Sequence, residues 1–191
     1  MKLLSWNVRG LGNPCIFHIL HTLVQDHCPE VIFLTETRAY RQRLEDLRVK
    51  LGCVGKLVVE RVGRSGGLAL LWTDKVDISL LSYSRFHIDV AIAGLGKNWR
   101  FTGFYGHPES SQRIHSWTLL RRLCSLSSLP WLCGGDFNEI LQSSEKLGGL
   151  PRPTYLMQNF RNAIDDCGLS GIQFKGPHFT WCNGQDRSLF I

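Results

Sequence analysis

The sequence predicts an α/β fold of two mixed, largely antiparallel β-sheets packed face to face with helices outside, a four-layer α/β/β/α sandwich. Three observations lead there. The chain opens as strand, helix, strand. A run of five short strands separated by turn residues follows, which is an antiparallel pattern. Helical periodicity then returns on both sides of one late strand, and sheets of this kind bury their apolar faces against each other and against helices.

The elements read in order as follows. Lys2 to Val8 is apolar and β-prone and ends at Arg9-Gly10-Leu11-Gly12, a strand entering a glycine-rich loop. Ile16, Ile19, Leu20, Leu23 and Val24 fall at helical spacing, so Ile16 to His27 is a helix that Pro29 stops. Val31 to Leu34 is a buried strand ending at Thr35-Glu36-Thr37. Tyr40 to Leu51 is a charged amphipathic helix, and Arg38, Arg41, Arg43 and Arg48, interleaved with Glu45 and Asp46, read as a solvated helix face rather than a basic patch. The antiparallel run comprises Leu57 to Val62, Gly67 to Trp72, Val76 to Tyr83, His87 to Ala93 and Trp99 to Tyr105. Gln112 to Leu126 is a helix, Trp131 to Gly134 a strand, Thr154 to Cys167 a helix, and Phe179-Thr180-Trp181 a last strand candidate.

Composition sets the class. The 191 residues are 43% hydrophobic and 20% charged, which is a globular composition at a one-domain length, so residues 1–191 are expected to form one domain. The net charge of +6 favours a polyanionic partner such as nucleic acid, though acidic residues are spread among the basic ones. Seven widely spaced cysteines with no C-x-x-C pair argue against a zinc ribbon or a disulfide framework. No apolar stretch approaches the ~20 residues a membrane span needs. No long apolar segment follows Met1-Lys2, so the expected location is nucleus or cytoplasm, with no membrane and no obligate protein partner.

Four polar clusters stand at the ends of strands: Ser5-Trp6-Asn7, Thr35-Glu36-Thr37, Tyr105-Gly106-His107-Pro108 and Gly134-Gly135-Asp136-Phe137-Asn138. Each alone also reads as a cap, an Asx-turn or a core aromatic. Together they set carboxylates and amides at several strand ends. A hard divalent cation and a phosphate need such groups, because magnesium takes a few oxygen ligands and keeps some waters.

The ordered segments Ser-Trp-Asn-Val-Arg-Gly-Leu at 5–11, Leu-Thr-Glu-Thr at 34–37, Gly-Phe-Tyr-Gly at 103–106, Gly-Gly-Asp-Phe-Asn at 134–138 and Phe-Thr-Trp at 179–181 resemble the motifs of the endonuclease/exonuclease/phosphatase family. The resemblance is to its exonuclease III/apurinic endonuclease-like branch, and most specifically to the endonuclease domain that precedes reverse transcriptase in plant LINE-type non-LTR retrotransposons. It implies a Mg²⁺-dependent (or Mn²⁺-dependent) phosphodiester hydrolase that nicks DNA. By position, Glu36 becomes the principal metal ligand, and Asn7 orients Glu36 or touches the ion. Tyr105 hydrogen-bonds the scissile phosphate. Asp136 orients or deprotonates the attacking water, or protonates the leaving oxygen, and Asn138 holds the phosphate and Asp136. Trp181 lines the nucleic-acid face or packs beneath it. Arg9 stands where some members carry a second acidic residue, and a cation there grips phosphate instead of metal. The family's later Asp-bearing strand and its Asp-His pair have no counterpart before Ile191. The resemblance therefore implies a C-terminally truncated copy, without the last strands and with impaired activity. Two alternatives stand beside the nicking endonuclease: a remnant that binds nucleic acid weakly without catalysis, and a phosphatase or other phosphodiesterase of the same superfamily.

Overall fold

The computed structural model describes residues 1–63, 66–94, 96–177 and 179–180. It divides into two compact units, one of Met1–Tyr105 with Ser128–Asp136 and one of Gly106–Ser127 with Phe137–Ile191. The first unit holds both sheets. One has the order β1-β2-β4-β3, built from β1 (Leu3–Asn7), β2 (Val31–Thr35), β4 (Leu68–Trp72) and β3 (Gly55–Val59). The other has the order β5-β6-β7-β8, built from β5 (Asp77–Ser84), β6 (His87–Gly94), β7 (Lys97–Tyr105) and β8 (Trp131–Asp136). Four pairings are antiparallel, whereas β1 pairs parallel with β2 and β7 parallel with β8. The mixed, two-sheet fold expected from the sequence is therefore present.

Helix α1 (Pro14–His27) makes the β1–β2 crossover, as a parallel pair requires. It starts two residues before the first apolar position, because Asn13 caps it by accepting from Cys15 N at 2.9 Å and Pro14 occupies the first turn. Cys28 ends it in the left-handed region at φ 47°. Helix α2 (Arg41–Lys50) buries Leu44 and Leu47. With Leu20 of α1 they pack on Ile32, Leu34, Ala69 and Leu71, one face of the first sheet. The other face presents Val31, Phe33, Leu68 and Leu70 to Ile88, Val90, Ile92 and Phe101 of the second sheet. Phe33 and Phe101 meet edge to face with centroids 5.8 Å apart. Strands β2 and β4 are thus covered on both sides, which is why Val-Ile-Phe-Leu and Leu-Ala-Leu-Leu read as unbroken apolar runs rather than alternations.

The opposite face of β6 and β7 carries a buried ion pair. Asp89 accepts from Arg100 Nε at 2.8 Å, from Arg100 Nη2 at 2.9 Å and from Thr102 Oγ1 at 2.7 Å. The Trp131 indole N–H donates to Thr102 Oγ1 at 2.8 Å, and its ring stacks under the Arg100 guanidinium. Arg100 Nη1, buried with them, has no hydrogen-bond partner among the described residues.

The second unit pairs α3 (Arg113–Cys124) with α4 (Thr154–Asp166). Trp117 stacks on Phe160 at 4.4 Å between ring centroids, and Phe137 lies 5.3 Å from Phe160. Several expected boundaries move by a residue or more. The strand expected over Leu57–Val62 runs Gly55–Val59, because its partner in register is Leu68–Trp72. Phe179 and Thr180 have no regular structure, and Trp181 lies outside the described residues. Among the described residues no helix is long and apolar enough to cross a membrane.

Candidate active site

Parallel pairing sets the site. In the first sheet Asn7 is in register with Thr35, so Asn7 and Glu36 leave the same end of the sheet side by side. In the second sheet Tyr105 is in register with Asp136. Gly135 makes that second pairing possible. Its φ is +142°, and a Cβ there would lie 2.1 Å from the Phe104 carbonyl oxygen, so only glycine lets β8 approach β7 closely enough.

Asn7 joins the two sheets. Its Nδ2 donates to Glu36 Oε1 at 3.0 Å and to Asp136 Oδ2 at 2.7 Å, which uses both hydrogens of the amide. Its Oδ1 accepts from Arg9 N at 3.1 Å, which settles which way the amide faces. Glu36 Oε1 also accepts from the Tyr105 hydroxyl at 3.2 Å, and Glu36 Oε2 accepts from Arg38 Nη2 at 2.7 Å. Four of the residues expected from the sequence, Asn7, Glu36, Tyr105 and Asp136, thus form one hydrogen-bonded cluster within the first unit. Residues 7 and 136 stand 129 positions apart in the chain.

Arg9 contributes its backbone N–H to this cluster and is left-handed at φ 49°. Asn138 is described with the second unit. It is left-handed at φ 55°, and its Nδ2 donates to Gly106 O at 2.8 Å. A Cβ on Gly106 would lie 1.9 Å from the Phe137 carbonyl oxygen, so that approach also depends on glycine. Trp181 lies outside the described residues.

Two features escape sequence reasoning. Arg38 is not on the solvated face of a helix, since α2 begins at Arg41 and the Arg38 guanidinium is bound to Glu36. Its place just ahead of a charged helix gave no sign of this. The second is Glu139, whose side chain is wholly buried between two cations. Its Oε2 accepts from Arg113 Nη1 at 2.9 Å and its Oε1 from Arg152 Nε at 2.6 Å. The same cations reach backbone carbonyls: Arg113 Nε donates to His107 O, Arg113 Nη2 to Pro108 O, and Arg152 Nη2 to Asn138 O. The clamp therefore fixes the loop after Tyr105 and the loop bearing Asn138 from one buried carboxylate. Its members are 13 and 26 residues from Glu139, too far for helical or strand periodicity to register.

Burial pushes the Glu36 carboxyl up, but hydrogen bonds from Asn7, Arg38 and Tyr105 outweigh it and hold the group below its ordinary 4.5. A depressed carboxylate contributes its bonds fully above pH 4.5 and loses them as pH falls through the lower folded value. Carbon-detected NMR of the Glu side chains should show Glu36 titrating below pH 4.5, and Asn7→Ala should move its midpoint up. A midpoint unchanged by Asn7→Ala would mean that the amide does not hold the charge.

Among the described residues the oxygen donors brought together here are the carboxylates of Glu36 and Asp136, since the Asn7 amide turns its NH₂ to them and its oxygen to Arg9 N. Among the described residues no group of three or more His, Cys, Asp or Glu stands ready as a closed metal cage. A hard cation that keeps several of its waters needs only one or two carboxylates, which Glu36 with Asp136 nearby can offer.

The match to known proteins follows the same lines. The model of the Endonuclease/Exonuclease/phosphatase family matches residues 4–187. No protein of curated function matches the chain. Among solved structures, an AP endonuclease from Archaeoglobus fulgidus superposes with a TM-score of 0.64 at 12% identity, over 86% of this chain and 68% of that one. The 3' phosphatase NExo from Neisseria, bound to product DNA hairpin, gives 0.59 at 16% identity, over 87% and 71%. The endonuclease domain of TRAS1, a telomere-specific non-LTR retrotransposon, gives 0.58 at 12% identity, over 88% and 75%. At these identities the likeness is one of fold. The chain spans roughly two thirds to three quarters of the length of these three structures.

Proposed function

The chain belongs to the endonuclease/exonuclease/phosphatase family, and from that premise we propose that it acts on DNA as a divalent-cation-dependent phosphodiester hydrolase of the nicking kind. The observation that carries the proposal is the cluster in which Asn7 holds Glu36 and Asp136 together, with Tyr105 on the same Glu36 oxygen. Two carboxylates that share the Asn7 amide, of which Glu36 is held by Arg38 and Tyr105 as well, suit one group that holds a cation and one that handles a proton.

Glu36 would hold the cation, with Asn7 keeping its carboxylate oriented. A Mg²⁺ or Mn²⁺ ion bound there supplies positive charge against the phosphate oxygens. Asp136 would orient the attacking water and accept its proton, or return a proton to the leaving oxygen. The Tyr105 hydroxyl, on a residue only 4% exposed and already within 3.2 Å of Glu36, would turn to donate to a phosphate oxygen. Asn138 is assigned to the phosphate and Arg9 to the nucleic-acid backbone on their motif positions alone. The finer reading, a retrotransposon-type endonuclease, is supported by the sequence motifs and by the fold likeness to the TRAS1 domain. The net charge of +6 favours a polyanionic substrate.

Incubation with supercoiled plasmid, with a 3'-phosphorylated oligonucleotide and with small phosphate esters tests the proposal. Nicked circles are expected in Mg²⁺ and none with EDTA. Release of phosphate from the 3' end without nicking would move the chain to the phosphatase reading. No metal-dependent turnover of any of the three would overturn the proposal.

A further inference from the structure

We propose that Arg38 is a positioning residue that neutralises Glu36 until a divalent cation displaces it, so that the site loads its cation by exchange for a guanidinium. The inference rests on Glu36 being the cation-holding carboxylate, and it deepens that reading.

The two oxygens of Glu36 are held differently. Oε1 accepts from Asn7 and Tyr105, both anchored in strands. Oε2 accepts from Arg38 Nη2 at 2.7 Å, the contact of a strong charge-assisted bond. The partners differ in exposure as well: the Glu36 side chain is 16% exposed and that of Arg38 46%. Arg38 can therefore swing towards water on its own flexible stem, while Glu36 stays where β2 and Asn7 put it.

The backbone holds this arrangement at a cost. Glu36 and Arg38 are both left-handed, at φ 51° and φ 48°. Side chains adopt that region with strain, and such strain persists only where the surroundings impose it. Here the surroundings do so through backbone bonds. Thr37 N donates to Gly67 O and Arg38 N to Gly66 O, each at 3.1 Å, and Leu11 N donates to Thr37 O at 2.9 Å. The Arg38 stem lies against Gly10, where a Cβ would come within 3.4 Å of Arg38 Cδ. The loop is thus built to return the guanidinium to Oε2 rather than to leave it in solvent.

A guanidinium hydrogen-bonded to Oε2 and a cation coordinated by Oε2 compete for the same oxygen and repel each other. Cation affinity in the free protein is therefore lowered by the strength of the ion pair. Once displaced, Arg38 remains beside the cation with its charge intact and a phosphate oxygen as its natural acceptor.

Calorimetric titration of the full chain with MnCl₂, without DNA, tests this. Arg38→Gln should bind Mn²⁺ roughly fivefold more tightly than the wild type, the upper end of what a half-exposed ion pair is worth. Arg38→Lys, which keeps the charge, should bind close to the wild type, and the advantage of Arg38→Gln should shrink in high salt as the pair is screened. Equal or weaker binding by Arg38→Gln, with wild-type binding lost in Glu36→Gln, would overturn the exchange and leave the proposed function standing. Wild-type binding that survives undiminished in Glu36→Gln would overturn both.

Discussion

Asp136→Asn should lower cation-dependent nicking by about 10²- to 10⁴-fold, the usual worth of a general acid or base, with the fold intact. The substitution is nearly isosteric. The new amide can keep its oxygen towards Asn7, so the 2.7 Å contact from Asn7 Nδ2 survives with a neutral acceptor. Neither the register of Asp136 with Tyr105 nor the close approach at Gly135 depends on the charge. What disappears is the ability to take up a proton. Thermal unfolding measured beside the nicking assay separates the two effects, since the melting curve should hardly move while the rate collapses. Undiminished nicking by Asp136→Asn would remove Asp136 from the chemistry and leave it a structural role beside Asn7.

The second large effect is structural. Glu139→Ala should destabilise the chain by about 3–5 kcal/mol, the cost of breaking a buried ion pair by removing one partner. The Glu139 side chain is wholly buried, and Arg113, its side chain only 7% exposed, would lose a buried carboxylate partner. Arg152, 28% exposed, can turn outwards and suffers less. The truncation also loosens the carbonyl contacts that the two arginines make at His107, Pro108 and Asn138. Urea unfolding of wild type and variant gives the number directly. Replacing Arg113 as well should recover part of the loss, because the cation deprived of its carboxylate is then gone. A Glu139→Ala midpoint equal to that of the wild type would show that water reaches Arg113 freely.

Charge is handled differently in these two places. Asn7, Glu36, Tyr105 and Asp136 hold one end of the two sheets together, and the cation beside them, Arg38, is half-exposed. Arg113, Glu139 and Arg152 hold the loops that follow, and there one of the cations is sealed in.

Much of this was legible in the sequence because it follows local rules. Apolar runs bounded by Gly, Pro and polar clusters located β1, β2, β4 and β8, and 3.6-residue spacing located α1 and α4. The polar residue at or just past the end of an apolar strand pointed to Asn7, Glu36, Tyr105 and Asp136, since a strand end places its side chain on the rim of the sheet. What the sequence by itself determined was therefore the kind of sheet, the elements and the chemistry available at their ends. Only the tertiary structure decided which groups meet. That Asn7 divides its two amide hydrogens between Glu36 and Asp136, that Arg38 leaves the α2 face for a carboxylate, and that Glu139 is sealed between Arg113 and Arg152 are all contacts across loops or across sheets. Periodicity reports which way a side chain faces along its own element. It carries no record of what arrives opposite from elsewhere in the chain, and the charges that matter here are paired in just that way.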